Sequence, residues 1–325
     1  MVQLTTMNTS SPTRVSARSI WMAMISVYIV WGSTYLAIRF AVASFPPFLI
    51  AGMRFLVAGG ILYIFRRLRG DPAPTRRQWR SAAIIGLFLL LGGNGGVSWA
   101  EQHVASGIAA LMVGTSPLWM IVLDALGSQA RLRRVPARWP TVVGVIVGFA
   151  GIALLISPSE LTGLGGDINL LGTGVLIVAA LLWAAGSLYS RSADMPTSPL
   201  LGTSMEMLCG AAGLLAAGTL TGEWSQVNLA GVTWQALAGL AYLIIFGSLV
   251  GFASYTWLLR NAPTTLVSTY AYVNPLVAIV IGNLLAQEPL TPRVLIATTV
   301  ILGAVVIITL TQPARAKIKQ EPATD

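Results

Sequence analysis

Two charged side chains stand inside long apolar segments of this sequence. Arg54 lies in FLIAGMRFLVAGGILYIF, residues 48–65, and Glu206 lies in SMEMLCGAA, residues 204–212. A charged group within the hydrocarbon core of a membrane is costly, so it marks either a function or a dedicated partner. Glu206 is therefore the strongest candidate for carrying a proton, and a structural hydrogen bond to a neighbouring helix is the alternative reading.

The apolar segments themselves define the class of protein. The chain has 325 residues, of which 55% are hydrophobic and only 10% charged, with a mean hydropathy of +0.75. A soluble domain carries about 25% charged residues. The apolar residues recur in blocks of about 20, the length of helix that crosses a bilayer. We therefore expect an all-α polytopic membrane protein.

Several other classes are disfavoured by the same composition. The net charge of +9 would suit nucleic acid, but the basic residues stand at the ends of apolar blocks and form no face that could follow phosphates. With one cysteine, Cys209, and one histidine, His103, we expect no metal site and no cofactor. A membrane enzyme acting on lipids, which needs convergent acid–base groups, is a weak alternative. A passive channel is another, although no charge ring or carbonyl-filter motif is present.

Ten spans are predicted, separated by breaks too short for a soluble domain. The predicted spans are 20–42, 47–67, 79–99, 104–126, 139–157, 169–190, 198–219, 232–257, 264–285 and 292–311. We expect a disordered tail at 1–19, a first repeat at 20–157, a linker at 158–168, a second repeat at 169–311 and a basic tail at 312–325. Arginine-rich loops after spans 2 and 4 place both termini in the cytoplasm and the linker outside.

The two halves of the chain repeat each other. VWGSTYLAIR, residues 30–39, matches LWAAGSLYSR, residues 182–191, so that Trp31 corresponds to Trp183. GMRFLVAGG (52–60) meets SMEMLCGAA (204–212) at the same offset, and residues 98–118 meet 256–276 at an offset of 158. A repeat of five spans must enter the membrane inverted. Inverted repeats typify secondary transporters, whose substrate site lies near the midplane between the halves.

Four motifs resemble one known family: WGSTY in the first span, the RF pair in the second, EQHVASGIAAL leading into the fourth, and TYAYVNP in the ninth. They are similar to the drug/metabolite transporter superfamily, in its ten-helix EamA type. The resemblance implies two inverted five-helix halves and a cavity lined mainly by spans 1, 3, 4, 6, 8 and 9. It implies proton-coupled export of small metabolites, amino acids or drug-like solutes from the bacterial cytoplasmic membrane, while uptake or facilitated diffusion stays open. The expected partners are the solute, lipid and protons, and a homodimer is left open.

Aromatic and neutral polar residues form the predicted cavity. Rings with a few hydroxyl or amide groups suit a neutral or zwitterionic, partly apolar solute, and helix packing is the alternative reading for each residue. Pro117 and Pro275 are expected to kink their helices, with nearby hydroxyl or amide groups bonding the freed carbonyls. The cavity candidates are Trp31, Tyr35, Asn94, Thr115, Trp183, Ser187, Tyr270 and Asn274.

The remaining charges are assigned to the outer side. Glu101 is expected in a solvated loop, or else as an external proton or substrate contact, and is retained as a coupling or gating candidate. Arg39 is expected to reach the lipid headgroups. Arg54 is expected to reach the interface or Glu101, because inversion separates it in depth from Glu206 by about 10 Å.

Overall fold

The computed structural model describes residues 16–126, 139–155, 169–262, 264–267 and 269–311. Within these residues ten long helices follow one another, and four of them, α3, α4, α8 and α9, consist of consecutive segments. They are α1 (Ala17–Val42), α2 (Pro47–Leu68), α3 (Arg76–Ala100), α4 (Ser106–Val113 and Ser116–Leu126), α5 (Trp139–Leu155), α6 (Leu170–Ser190), α7 (Pro199–Leu220), α8 (Trp234–Tyr242, Leu243–Val250 and Gly251–Asn261), α9 (Thr264–Val267 and Tyr270–Ala286) and α10 (Pro292–Thr311).

These helices confirm the predicted fold class. Seven are long and apolar enough to cross a membrane, and three shorter apolar helices, Val142–Leu154, Tyr270–Ala286 and Pro292–Ile307, complete the ten. Several boundaries move by a few residues, and one of them changes the predicted tail: α1 begins at Ala17, capped by the Ser16 side chain, so residues 17–19 are helical. The rest of the predicted N-terminal tail, most of the arginine-rich loop after α4, the 158–168 linker and the basic tail lie outside the described residues.

Local sequence signals explain where several helices begin. The Thr75 hydroxyl accepts the Gln78 backbone N–H while the Gln78 side chain accepts the Thr75 N–H, a capping box that starts α3. The side chains of Asn169 and Ser198 cap α6 and α7, each by accepting one backbone N–H of the first turn. α2 instead has Pro46 at its N-cap, which offers no side-chain oxygen. Its first N–H groups are bonded by Glu223, which follows α7.

The packing follows the inverted repeat. α2 packs along α7 and α5 along α10, pairing equivalent helices of the two halves. α1 packs on α8 and α9, as α6 packs on α3 and α4. Small residues allow the close approach: Gly59 of α2 faces Met207, and Gly52 faces Leu215, both on α7. The packed interior therefore lies where helices of the two halves meet.

The two ends of the bundle differ in charge. At one end, here called the acidic end, lie Glu101, Glu223 and Glu288, close to the last turn of α1 and the first turns of α2 and α4. The opposite, basic end carries the arginines of the α2–α3 connection, where Arg66 forms two bonds with Asp71, of 2.7 and 2.8 Å. The two ends of the helix bundle therefore carry different charges.

Two helices contain π-helical segments that we did not predict. Leu87–Gly95 lies within α3 and Leu243–Val250 within α8, at nearly repeat-related positions. Such segments widen a helix locally and are frequent at functional sites. Beside them stand the repeat-related tryptophans. Gly93 lies against Trp183, and Gly247 accepts a hydrogen bond from Trp31.

Candidate functional site

An aromatic cluster lies between the two repeats at the middle of α1. The Trp31 ring contacts Phe252, Tyr255 and Tyr270, with centroid distances of 5.2, 5.0 and 5.4 Å. Tyr255 and Tyr270 also meet edge to face, at 5.6 Å. The Trp31 indole Nε1 donates to the Gly247 carbonyl at 3.1 Å, which orients the ring. The cluster therefore joins α1 of the first repeat to α8 and α9 of the second.

Polar groups fix the α9 side of this cluster. Tyr28 and Thr269 form a short hydroxyl–hydroxyl hydrogen bond beside Tyr270. Asn274 is buried, and its amide NH₂, in the orientation that satisfies its neighbours, donates to the carbonyls of Tyr28 and Tyr270, each at 3.3 Å. Asn274 thus ties α9 to α1, whereas Tyr270 contributes its ring to the cluster.

A groove of about 550 Å³ opens beside the cluster toward the basic end. It lies between α1, α7 and α8, and the residues Ala253, Ser254, Thr256 and Trp257 that line it flank Tyr255 in the chain. Its lining is mostly apolar, with the hydroxyl groups of Ser19, Ser26, Ser254 and Thr256, a composition common in small-molecule sites. The groove therefore adjoins the segment of α8 that carries Tyr255, although the rings of the cluster do not line it.

The repeat-related set in the other half lies where α3 meets α6. A Cβ atom added at Gly93 would come within 2.9 Å of the Trp183 ring, so only glycine allows this approach. The neighbouring Asn94 is half-buried. The Ser187 hydroxyl donates to the Trp183 carbonyl at 2.7 Å and is thus occupied within its own helix. The structure places Trp183, Asn94 and Ser187 on α3 and α6, apart from the helices that form the Trp31 cluster.

The two prolines lie where α4 meets α9. α4 is interrupted at Gly114 and Thr115, and Pro117 is the second residue of its second segment. The Ser116 hydroxyl donates to the Val113 carbonyl at 2.6 Å, the acceptor that Pro117 leaves free, and Thr115 donates to Met112 at 2.5 Å. Pro275 lies within α9, and its ring faces Gly114. The break in one repeat therefore packs on the proline of the other.

Arg54 does not reach outward, contrary to our expectation. Its side chain is 5% exposed and turns inward, where Nε donates to the Ser248 hydroxyl at 2.9 Å. The guanidinium also lies 4.6 Å from the centre of the Phe55 ring. Within the described parts of the chain Arg54 forms no ion pair, with Glu101 or with Glu206. The π segment of α8 presents Ser248 at this depth, which the sequence pattern did not reveal.

Glu206 is half-buried on α7. Its carboxyl group lies within electrostatic range of the Tyr255 hydroxyl, and so does the Arg191 guanidinium. The backbone of Glu206 packs against Gly86 of α3. Glu206 is thus connected to the edge of the aromatic cluster through Tyr255.

Arg39 binds Glu288 instead of lipid headgroups. The two side chains form a short ion pair between α1 and the α9–α10 connection. Glu288 is 6% exposed, and it also accepts the Ser106 N–H and hydroxyl at 3.0 and 2.7 Å and the Gly107 N–H at 3.1 Å. One carboxylate therefore caps α4 and holds α1. We call this arrangement of Arg39, Glu288, Ser106 and Gly107 the clamp.

Glu101 is buried beside the clamp and is not in a solvated loop. Its side chain is 3% exposed, and neither carboxyl oxygen makes a hydrogen bond of normal geometry. Burial raises the pKa of the Glu101 carboxyl well above its usual range, and the Glu288 carboxylate raises this pKa further, while Arg39 lowers it. Tyr35, one helical turn before Arg39, lies within electrostatic reach of Glu101. The chain turns sharply after α3, which carries Glu101 inward.

Sequence reasoning missed some residues of this site. Phe252, Ser248 and Glu288 are not among the residues that the sequence predicts for the site. The signal for Glu288 was present in the residues themselves, since an acidic residue in a short connection can bond the N–H groups of a nearby helix start. The signal for Phe252 and Ser248 was weak, because the π segment of α8 shifts which residues face inward.

The fold and the site together define a polytopic helical membrane protein of two inverted five-helix repeats with an aromatic site between them. The chain belongs to the EamA-like transporter family, which it matches over residues 18–157 and 170–310. This duplicated match agrees with the two repeats and with the resemblance seen in the sequence.

Individual relatives are similar to the chain over most of its length. The chain is 39% identical over 291 residues to the uncharacterized inner membrane transporter YedA of Escherichia coli (strain K12), covering 89% of this chain and 90% of that protein. It is 29% identical to protein PecM of Dickeya dadantii (strain 3937), covering 86% and 88%. A solved crystal structure superposes with a TM-score of 0.60 at 19% identity, covering 92% of this chain and 99% of the other, and supports the fold.

Proposed function

We propose that the chain is a secondary active transporter that exports small, neutral or zwitterionic, partly aromatic solutes by alternating access. The observation that carries this proposal is the cluster of Trp31, Tyr255 and Tyr270 between the repeats, with a groove beside it. Rings provide apolar contact at any orientation, and hydroxyl groups provide a few directional bonds. The other cavity candidates, Tyr35, Asn94, Thr115, Trp183 and Ser187, stay proposed cavity residues, with Trp183, Asn94 and Ser187 on α3 and α6, apart from this cluster. No enzymatic role is proposed.

The orientation follows from the charged ends. We propose that the basic end, with both termini, faces the cytoplasm of a bacterial inner membrane and that the acidic end faces outward, in keeping with the positive-inside rule. The groove at the basic end would then admit solute from the cytoplasm. The ion-paired acidic end would be closed at the same time, as one state of an alternating-access cycle.

Protons are the proposed coupling ion. Glu206 is close to Tyr255 in the cluster and Glu101 is buried beside the clamp, so each can link protonation to a conformational change. Arg54 is proposed as a positioning residue through Ser248 on α8. A homodimer is left open.

Flux into proteoliposomes under an imposed pH difference tests the proposal. The probes are radiolabelled L-phenylalanine, a zwitterion with a ring, and tetraphenylphosphonium, a cation, followed by the other amino acids and a set of cationic drugs. We expect at least one probe to accumulate against its gradient, and a protonophore to abolish the accumulation. Trp31→Ala should reduce it strongly. The matched control is Trp234→Ala, which removes an exposed tryptophan at the start of α8.

Each other result assigns a different function. Downhill flux without accumulation, insensitive to the pH difference, would indicate a facilitative carrier or a channel. Accumulation in the opposite direction would indicate an uptake permease. Equal activity of the Trp31→Ala and wild-type proteins would remove the aromatic cluster from the solute path.

A further inference from the structure

The acidic-end cluster contains more negative than positive groups. Arg39 is paired with Glu288, while Glu101 is buried beside them without a normal hydrogen bond. If both carboxyl groups were ionised, the buried cluster would carry one uncompensated negative charge, which is strongly unfavourable. A single proton on Glu101 removes that charge. Protonation of Glu101 therefore stabilises the closed clamp.

The surroundings of Glu101 supply no other counter-charge among the described residues. From α1 it is faced by Tyr35 and Arg39, and from the α9–α10 connection by Glu288. His103 follows in the same turn, but its ring lies exposed on Trp99, at a centroid distance of 4.7 Å. On α2, Arg54 is turned toward Ser248 instead.

We propose that Glu101 is a proton-binding site that controls the clamp, and through the clamp the opening of the acidic end. This inference rests on the proposed transport cycle and names the group through which the pH at the acidic end regulates that cycle. With a proton on Glu101, Arg39 stays on Glu288, which in turn holds the first N–H groups of α4. Without it, the Glu101 carboxylate competes for Arg39 and repels Glu288, so the clamp opens. Closing binds one proton from the solution at the acidic end, and opening returns it.

The repeat supports a site at one end only. At the offset of 158 that relates residues 98–118 to 256–276, Glu101 corresponds to Leu259; the same offset, extended beyond that match, sets Glu288 opposite Ala130 and Gln287 opposite Gln129. Arg39 has its counterpart in Arg191. The second copy of the motif has therefore kept the arginine and lacks both carboxyl groups. A proton site at one end makes the closing of that end respond to the pH on its own side of the membrane.

The pH dependence follows from linkage. The pKa of Glu101 is raised when the clamp is closed, and an exposed glutamate has an ordinary pKa near 4.3. The closed state is therefore fully stable below this ordinary value and loses stability as pH rises through the raised pKa of the closed state. For one proton the ratio of closed to open protein falls by at most about tenfold per pH unit.

Hydrogen exchange of the purified full chain in lipid nanodiscs tests this without any solute. The reporter is a peptide covering residues 104–113, which contains the Ser106 and Gly107 amides held by Glu288. After correction for intrinsic exchange, we expect its protection to fall as pH rises from 5.5 to 8.5, by up to about tenfold per unit. In Glu101→Gln the protection should stay high and constant, because the amide cannot lose a proton.

Three further variants sharpen the result. Arg39→Gln should leave the peptide poorly protected at every pH, because the clamp has lost its cation. Glu223→Gln changes another buried carboxyl group at the same end, bonded to the start of α2, and should keep the wild-type pH dependence. Glu206→Gln should keep it as well. A wild-type profile that is flat with pH, an unchanged profile in Glu101→Gln, or a profile lost in Glu206→Gln would each overturn the proposal. Failure of proteoliposome transport with the expected exchange profile would count against the proposed function alone.

Discussion

Arg54 is a buried cation whose described contacts are the Ser248 hydroxyl and the Phe55 ring. A guanidinium has five N–H donors, so this environment satisfies it poorly. A charge kept at such a cost is expected to serve function more than stability. The sequence correctly marked Arg54 as unusual but assigned it the wrong direction, because the partner is placed by the π segment of α8.

Replacement of Arg54 separates these two roles. We expect Arg54→Met to be neutral or to raise the free energy of unfolding by about 1–4 kcal/mol, because it removes a poorly compensated buried charge. Thermal unfolding in detergent measures this, with Arg54→Lys as the control that keeps the charge. Probe accumulation should fall in Arg54→Met. Strong destabilisation would mean that the arginine is mainly a structural element.

The clamp predicts a measurable coupling between two residues far apart in the sequence. A double-mutant cycle with Arg39→Gln and Glu288→Gln should give a favourable coupling energy of about 0.5–3 kcal/mol in unfolding. The control is the exposed pair Arg77 and Asp194, separated by 3.4 Å, for which about 0–1 kcal/mol is expected. Equal coupling in the two pairs would contradict a buried role for Glu288.

At the scale of helices, the break in α4 and the proline of α9 are fitted to each other. A Cβ atom at Gly114 would lie 2.9 Å from the Pro275 ring and 3.1 Å from the Ala271 carbonyl oxygen, the acceptor freed by that proline. Both partners are rigid, so neither can yield. The two repeats therefore touch through positions that only a glycine permits.

Gly114→Ala should lower the free energy of unfolding by about 1–3 kcal/mol, because the added methyl overpacks this contact. Gly303→Ala is the matched control: it lies within α10 with open space around it and should be neutral or stabilising by about 0.5–1 kcal/mol. Thermal unfolding of both variants checks the difference. Similar behaviour of the two would show that α4 and α9 are not in tight contact.

The sequence predicted the helices well and their interior details less well. Length and hydropathy define ten spans, because a bilayer requires about 20 apolar residues for each. The matched segments predict inversion, because five spans are an odd number. The π segments escaped prediction, since LFLLLGGNG and LIIFGSLV are as apolar as any helical stretch and carry no distinct periodicity. The burial of Glu101 also escaped prediction, because a polar turn between two spans ordinarily lies in water.

At the scale of the whole molecule, the two ends are in different states. The acidic end is held by the clamp, whereas the groove beside the cluster is open toward the basic end. The two halves are related by inversion, so the two ends are formed by equivalent helices, although their charged residues differ. Such an asymmetry is what one state of an alternating-access cycle presents.

Thiol labelling checks both the state and the orientation. In a Cys209→Ser background, Ser26→Cys, which lines the groove, should react readily with a membrane-impermeant maleimide in inverted vesicles. Ser106→Cys, at a fully buried position of the clamp, should react slowly from either side at low pH. Rapid labelling of Ser26→Cys in intact cells would reverse the proposed orientation.

α1 carries Trp31, Tyr35 and Arg39 four residues apart, so all three lie on one face of a single continuous helix. About 12 Å of rigid helix separates the first from the last. Because α1 is one continuous helix, a movement at Trp31 also moves Arg39. An inhibitor bound against Trp31 would therefore disturb Arg39 of the clamp without contacting it. Resistance to such an inhibitor could then arise in residues that it does not contact.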